Sequence, residues 1–428
     1  MRILHVTQRY LPAVGGAELY LEGVSKRLAA DGHDVTVVTT DAWDFELFWN
    51  PDARRIPQPE AIIDGVRVLR FPVRHLPLSH WSYPAMRRLL WILASVSAIP
   101  SPWLHRLARY TPWTPELFRW FATTQERFDL VAGMTIVFEP LIAAAQQFAW
   151  QNQKPFVIYP LTHLGVGQEP GQDPVSRFYT MRHQVELVLN SAFLLAINAD
   201  EANFYRQRGL SPDRIAVVGP GVNLAELQGG NGSHLRQRYG LKGPIVGMLS
   251  TMAYDKGTMH VIEAIRTLWQ KGVNVHLILA GSVLEQFRHY WDNLPTTERQ
   301  RIILLGAIDH QTKLDLLDAI DILVLPSRTD SFGIVFLEAW TYAKPVIAAQ
   351  AWGVRTVVDH GRDGLLIPFG DVQALAEAIQ TLIENPQLRR QMGEAGRHKV
   401  LHQHTWDHKY PRIREIYGAL AHRGTSTI

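Results

Sequence analysis

Residues 322–348 read ILVLPSRTDSFGIVFLEAWTYAKPVIA. Ile322 to Leu325 is a short apolar run stopped by Pro326-Ser327, the pattern of a buried strand. Ile334 to Tyr342 reads as a helix, and Val346 to Ala348 as the next strand. Strand, helix and strand in so few residues make a βαβ unit, which favours a parallel sheet. Gly333 lets backbone approach a ligand closely. The helix that starts at Ile334 offers free N–H groups and a positive dipole end to a phosphate. Glu338 lies just over one turn inside that helix and can face the same ligand. Asp330 sits in the loop before it. A phosphate at a helix end between two carboxylates suits a nucleotide-sugar, which is anionic in the middle and rich in hydroxyls at both ends.

The same grammar continues on both sides. Ile245–Leu249, Val275–Leu279 and Ile302–Leu305 read as strands, with helices over Gly257–Gln270 and Gln311–Asp318. A helix is expected over Asp371–Asn385, with Asp371 as its N-cap. The chain opens with a strand at Ile3–Val6, the turn LPAVGGAE, and a helix whose stripe is Ala17, Leu21, Val24 and Leu28. Val35–Thr39 is the next strand. After Asp41 the pattern becomes irregular and rich in proline. Strands resume at Asp129–Val131, Phe156–Leu161 and Phe193–Ile197, and QGGNGS at 228–233 reads as a linker. The reading is α/β, with two doubly wound domains divided near residues 225 and 226. In such sheets ligands bind outside the carboxyl ends of the strands.

A chain of 428 residues exceeds one ordinary core. The absence of cysteine excludes disulfides, cysteine-ligated zinc and thiol catalysis. The opening MRILHVTQRY lacks a signal-peptide layout, and no uncharged run of about 18 apolar residues exists to span a membrane. A cytoplasmic location is expected. The net charge of +3 is uneven. Residues 65 to 120 hold eight arginines (Arg67, Arg70, Arg74, Arg87, Arg88, Arg106, Arg109 and Arg119) against one acid, Glu116. Seven of the thirteen tryptophans fall between Trp43 and Trp120.

The segment PSRTDSFGIVFLEAWTYAKPVIAA resembles the E-x7-E segment of family 4 glycosyltransferases. Others agree in order and spacing: the opening Gly-Gly loop and helix, VVGPGVN at 217–223, DKGTMHVIEAI, LILAGS, and the closing HTWDHKYPRIREIYGAL. The resemblance covers roughly three-quarters of the chain. It implies the GT-B fold, two Rossmann-like domains facing across a cleft. It assigns 1–225 to the acceptor side, with 408–428 crossing back onto it, and 226–407 to the nucleotide-sugar. It also implies transfer with retention, without a clear enzymic nucleophile.

Carried over by position, Lys256 is expected to neutralise the donor diphosphate. Phe332, Gly333, Ile334 and Val335 should bind the donor, the last three capping its phosphates through their backbone. Glu338 should hold the ribose hydroxyls and Asp330 the hydroxyls of the donor sugar. Gly281, Ser282, Ala307 and Ile308 should lie near the diphosphate and base. Gly15 and Gly16 should approach from the other domain. His163 matches the family's histidine near the sugar, with His80 and His105 as rivals near an acceptor. Two positions depart from the pattern. Asp330 replaces a glutamate, and Thr251 stands where the family has an arginine five residues before the lysine.

No D-x-D pair exists, so no divalent metal is expected at the diphosphate, and no other cofactor. The donor is expected to be a nucleoside-diphosphate sugar, of the uridine type in preference to guanosine, and the acceptor a glycan or lipid-linked saccharide. Another GT-B enzyme, such as an epimerase or a phosphorylase, and a degenerate nucleotide-sugar-binding relative are the alternatives. A dehydrogenase is disfavoured because the first turn is not G-x-G-x-x-G. Residues 65–120 read as a membrane-interface segment. Arg87 and Arg88 adjoin the apolar run Leu89–Ala94, with Trp91 and Trp103 beside it, so an anionic membrane surface is the expected partner, reached peripherally at the inner face. Nucleic acid is not expected, since no base-reading module is evident.

Overall fold

The computed structural model describes residues 1–423, which form two α/β units. The first comprises Met1–Leu164, Gly171–Pro220 and the final helix from Lys409; the second comprises Gly165–Pro170 and Gly221–His408.

The first unit is built on eight strands: β1 (Arg2–Val6), β2 (Asp34–Thr40), β3 (Glu60–Ile63), β4 (Val66–Phe71), β5 (Leu130–Met134), β6 (Phe156–Tyr159), β7 (Phe193–Ala196) and β8 (Ile215–Val217). Their order is β3-β4-β2-β1-β5-β6-β7-β8, parallel except for β3 against β4. Every residue of β5 and β6 is buried, so these strands read as unbroken apolar runs. The chain leaves β1 in one direction and returns to β5 in the other. That reversal is the sheet's switch point.

The stretch after Asp41, read as irregular, is more ordered than expected. β3 and β4 form a hairpin closed by Asp64 and Gly65, both in the left-handed region at φ 50 and 77. Two consecutive positive φ angles let a two-residue turn follow the strand twist. The sequence Ile-Asp-Gly-Val carried that signal between apolar residues. Three helices follow at Ser79–Ala94, Ser101–Ala108 and Pro115–Thr123.

The second unit has six parallel strands: β9 (Ile245–Leu249), β10 (His276–Ala280), β11 (Ile302–Gly306), β12 (Ile322–Leu325), β13 (Val346–Ala349) and β14 (Gly364–Ile367). Their order is β11-β10-β9-β12-β13-β14, so the reversal falls between β9 and β12. Asp371 caps the helix Val372–Glu384 by accepting from the Ala374 N–H at 2.9 Å. QGGNGS is not a slack tether. A Cβ on Gly230 would stand 2.4 Å from the Leu314 carbonyl oxygen, and one on Gly232 would stand 2.5 Å from the Ala319 nitrogen. These glycines let the chain lie against the helix His310–Ala319.

The final helix, Trp406–Arg423, is tied to the first unit by two tyrosines. Tyr410 donates to Asp31 at 2.6 Å. The Tyr417 hydroxyl lies 3.1 Å from His5 Nε2 and accepts from Tyr159 at 3.0 Å. His5 is fully buried, and its Nδ1 meets the Ser25 hydroxyl at 2.8 Å. Burial pushes the His5 imidazole down to about 3, so it is neutral in the native protein.

Candidate active site

The switch point of the second sheet brings together the loops after β9 and β12. Gly257 has φ +77, and a Cβ there would stand 2.6 Å from the Pro326 carbonyl oxygen. The Lys-Gly turn therefore lies directly on the loop after β12. Lys256 Nζ donates to both Asp330 oxygens, at 3.0 and 3.1 Å, with both side chains about three-quarters or more buried. These two residues neutralise one another.

A second cation reaches the same loop. Arg328 donates to Asp255 Oδ1 at 2.6 and 2.9 Å, and its guanidinium lies 5.0 Å from the Phe369 ring centre and 5.4 Å from that of Tyr254. Thr251 leaves no arginine upstream of Lys256, yet Arg328 stands on the neighbouring residue, Asp255. Sequence reasoning passed over it. A charged residue in a switch-point loop was the available signal.

Gly333 has φ +81, and a Cβ on it would meet the Phe336 ring at 2.3 Å. Only glycine fits there. The helix Ile334–Thr341 that follows has no side-chain cap, so its first N–H groups, including those of Ile334 and Val335, are available to an anion. Phe332 is buried edge-on against His404, with ring centres 5.8 Å apart. Glu338 is buried, and its Oε1 accepts from Lys313 at 2.7 Å. Lys313 was not foreseen either. It sits on the helix His310–Ala319, capped by Asp309 through the Thr312 N–H at 2.7 Å.

Gly281 follows β10 at φ +136, where a Cβ would fall 1.9 Å from the Ser250 carbonyl oxygen. Its N–H donates to Gly306 at 2.7 Å, and the Ser282 carbonyl accepts from Met252 at 2.7 Å. Gly281 and Ser282 thus knit the loops after β9, β10 and β11. Ala307 and Ile308 follow β11 at the edge of the sheet, two strands from β9.

In the first unit, Gly15 and Gly16 follow β1 and start the helix Gly16–Ala30. A Cβ on Gly15 would meet Glu18 Oε2 at 2.4 Å. That oxygen is held in place, because Arg9 donates to the Glu18 carboxylate at 2.9 Å in a buried pair. Arg9 also lies 3.8 Å over the Phe45 ring. The pair is a local reason for glycine at 15 that the sequence did not reveal.

His163 follows β6 and packs edge-on to Tyr179, with ring centres 4.5 Å apart. Its neighbourhood is held under tension. Leu161 at φ 50 and Thr135 at φ 69 both adopt the left-handed region just past β6 and β5. Glu201 fixes the loop by accepting from the Thr162 N–H at 2.5 Å and the Ile197 N–H at 2.8 Å. Burial pushes the Glu201 carboxyl up to about 7, despite those two donors. Of the rival histidines, His80 is exposed. His105 packs edge-on to His183 at 5.3 Å, and burial, then His183, pushes it down to about 4. Gly15 and His163 lie on separate loops, with β5 between their strands.

The charge reading of residues 65–120 needs correction at two positions, Arg70 and Arg87. Arg87 is not a surface cation. It is buried, donates to both Glu139 oxygens at 2.9 and 3.0 Å, and donates to the Val137 carbonyl at 2.8 Å. His183 and Gln184 meet the same carboxylate at 2.9 and 3.1 Å. Burial opposes the Glu139 charge, but Arg87 and His183 outweigh it and hold the carboxyl at about 2. Arg70 is also buried, donating to the Leu11 and Gln58 carbonyls. Arg67 pairs with Glu60 and Glu126, and Arg74 with Glu116. Burial removes two of the eight from the surface and pairing engages two more, while Arg88, Arg106, Arg109 and Arg119 remain exposed.

Two parallel-sheet α/β units with glycine-rich loops at their switch points define the GT-B class. Two family models match the chain in tandem: the glycosyl transferase 4-like domain over residues 15–221 and the glycosyl transferases group 1 model over residues 234–399. The chain belongs to the family 4, group 1 glycosyltransferases. It is 31% identical over 165 residues to the α-D-kanosaminyltransferase of Streptomyces kanamyceticus, a match covering 38% of this chain and 42% of that one. The chain thus aligns with less than half the length of that relative. It is 26% identical to the glycogen synthase of Mycobacterium tuberculosis, covering 99% of this chain and 96% of that one. HepE of Anabaena, solved in complex with UDP, superposes with a TM-score of 0.68 at 20% identity, covering 98% of this chain and 100% of that one.

Proposed function

We propose that the chain transfers a sugar from a nucleoside-diphosphate sugar, with retention and without a metal, to a glycan or lipid-linked acceptor at the inner face of an anionic membrane. One observation carries this reading: Lys256 and Asp330 are paired at the switch point, beside the uncapped helix end at Gly333 and one turn from the buried Glu338. The diphosphate takes the place of Asp330 on Lys256 and meets the N–H groups of Ile334 and Val335. Glu338, held by Lys313, accepts from the ribose hydroxyls. Asp330, released from the lysine, accepts from the hydroxyls of the donor sugar. The bond between the anomeric carbon and the phosphate oxygen breaks, and the acceptor oxygen bonds to that carbon on the same face. The acceptor proton passes to the departing phosphate, whose charge Lys256 and the helix end stabilise. A pair of carboxylates in the manner of a retaining hydrolase is not invoked.

A uridine donor is favoured, as UDP occupies the HepE structure. The test is nucleotide release from a panel of nucleotide-sugars, with and without chelator. Release from a uridine donor that persists in chelator supports the reading. Release that chelator abolishes and added metal restores would sink the metal-free part, and no release from any donor with any acceptor would sink the whole.

A further inference from the structure

Two adjoining cavities in the first unit are not used by the transfer chemistry. One, of about 570 Å³, is lined by Trp91, Arg177, Arg182, Glu186 and Arg208 among others. Its three guanidiniums face one carboxylate, Glu186, which stands 3.7 Å from Arg182. Arg177 is stacked 4.2 Å over the Trp91 ring, and Arg208 lies 3.5 Å over Phe204 while donating to the Phe204 carbonyl at 2.9 Å. The cavity therefore carries an excess of positive charge on side chains already fixed, Arg177 and Arg208 by stacking and Arg182 by hydrogen bonds. The other cavity, of about 410 Å³, is lined only by apolar residues, among them Leu93, Ile99, Trp103 and Leu107.

The segment from Leu93 to Pro100 is the wall between them. Ala94 and Ser95 line the charged cavity, and Leu93, Ala98, Ile99 and Pro100 line the apolar one. Arg182 spans this wall, donating to the Ile99 carbonyl at 2.6 Å, the Val96 carbonyl at 3.3 Å and the Ser101 hydroxyl at 3.1 Å. On this pair of helices Trp81 is 80% exposed and Trp103 64%, with Leu89 and Ile92, and Val96 in the connection between the helices, nearly half exposed. Residues 79–110 contain no aspartate or glutamate, so nothing on these helices repels an anion. A large exposed apolar face beside a basic cavity marks a binding surface. Its chemistry is that of a lipid at an anionic bilayer: a phosphate at one end, hydrocarbon at the other, and tryptophans at the interface.

We propose that this face docks on an anionic lipid bilayer, with a lipid phosphate between Arg177, Arg182 and Arg208 and the start of its hydrocarbon along the Leu93–Leu107 groove. The membrane charge is read by these three arginines rather than by Arg87. The site rests on the membrane placement proposed above and names the residues that make it, while the donor chemistry stands apart, since the residues given to donor binding at β9 and β12 lie in the second unit.

The test is co-flotation of the full chain with vesicles of phosphatidylcholine alone or mixed with phosphatidylglycerol. Wild type should float with the mixed vesicles, float less at high salt, and stay with the soluble fraction on phosphatidylcholine alone. Arg177→Gln with Arg208→Gln should lower binding by on the order of tenfold or more, from about 1 kcal/mol for each basic residue near an anionic surface. Trp103→Ser should weaken binding without changing its salt dependence. Nucleotide release and circular dichroism, unchanged in these variants, show that they are folded and that the second unit is intact. Should Arg208→Gln alone be unstable, quenching of Trp103 fluorescence by brominated phosphatidylglycerol, lost in Trp103→Phe, reports the same contact. Four outcomes would overturn the proposal: no flotation, equal binding to neutral vesicles, displacement by inorganic phosphate at matched ionic strength, or a dimer in solution that Trp103→Ser dissociates.

Discussion

The Lys256–Asp330 pair makes a quantitative prediction about nucleotide affinity. A diphosphate that uses Lys256 must first take it from Asp330. The two groups meet at 3.0 and 3.1 Å with 24% and 20% of their side chains exposed. At about 3 Å and an effective dielectric of about 20, the direct attraction is about 5 kcal/mol. Desolvation and side-chain ordering cancel most of that, and a pair of intermediate burial retains about 1–2 kcal/mol. Asp330→Asn keeps the shape and one acceptor but removes the competing charge. UDP should therefore bind roughly 5- to 30-fold more tightly to Asp330→Asn than to wild type. Sugar transfer by the same variant should fall, because the carboxylate that accepts from the sugar hydroxyls is gone. Isothermal titration with UDP, in chelator, measures the first effect, and product formation the second. The control is a double-mutant cycle: in Lys256→Ala the gain from Asp330→Asn should vanish. If UDP binds Asp330→Asn no better than wild type, or if the gain survives in Lys256→Ala, then Asp330 does not compete for that lysine and the donor phosphates lie elsewhere.

Glu338→Gln should weaken nucleotide binding by on the order of 1.5–3 kcal/mol, and Lys313→Met, which leaves Glu338 buried without its cation, should weaken it also; titration of UDP against both checks this, and wild-type affinity in both would move the ribose elsewhere. Arg87→Met strands the buried Glu139 charge and should cost about 3–5 kcal/mol in denaturant unfolding while leaving vesicle flotation of the folded protein unchanged. His5 contributes to the loss of stability at low pH. Its folded value, about 3, lies below the unfolded value of 6.5, so unfolding takes up a proton between them. The His5 contribution is fully present above about pH 6.5 and is lost as pH falls towards about 3. In His5→Gln the decline of unfolding free energy between these limits should be shallower by about 1.4 kcal/mol per pH unit, and an unchanged slope would show that this histidine is not the group that titrates.

The second unit was the more legible half because its strands and helices alternate at short, regular intervals. Ile322–Leu325 and the Asp371 cap could be read directly, since each rests on neighbours in sequence. In the first unit the stretch after Asp41 defeated the same method. Its helices 79–94 and 101–108 leave Trp81, Leu89, Ile92 and Trp103 outside, so the apolar pattern there does not mark a buried face. Periodicity reveals a helix only when one side is polar. The Asp-Gly turn at 64 and 65 was different, because a local signal was present and went unused.

At the candidate site, what could be read and what could not divide along the same line. Glycines and single loop residues announce themselves locally: Gly333 must be glycine because of Phe336, three residues away. Charge partners do not. Glu338 is 25 positions from Lys313, Lys256 is 74 from Asp330, and Arg87 is 52 from Glu139. A sequence shows each of these groups as a charge and leaves open whether it faces water, a ligand or its opposite. For Arg87 the choice reversed the inference, turning a supposed membrane cation into the buried counter-ion of Glu139. For Lys256 it adds a step, since a lysine read as waiting for phosphate is already occupied by a carboxylate. The two pairs differ in what a ligand can do to them. Glu139 is fully enclosed and is also held by His183 and Gln184, so no solute can replace its partner. Lys256 and Asp330 each keep about a fifth or more of their surface open, which is what an exchange of one anion for another requires.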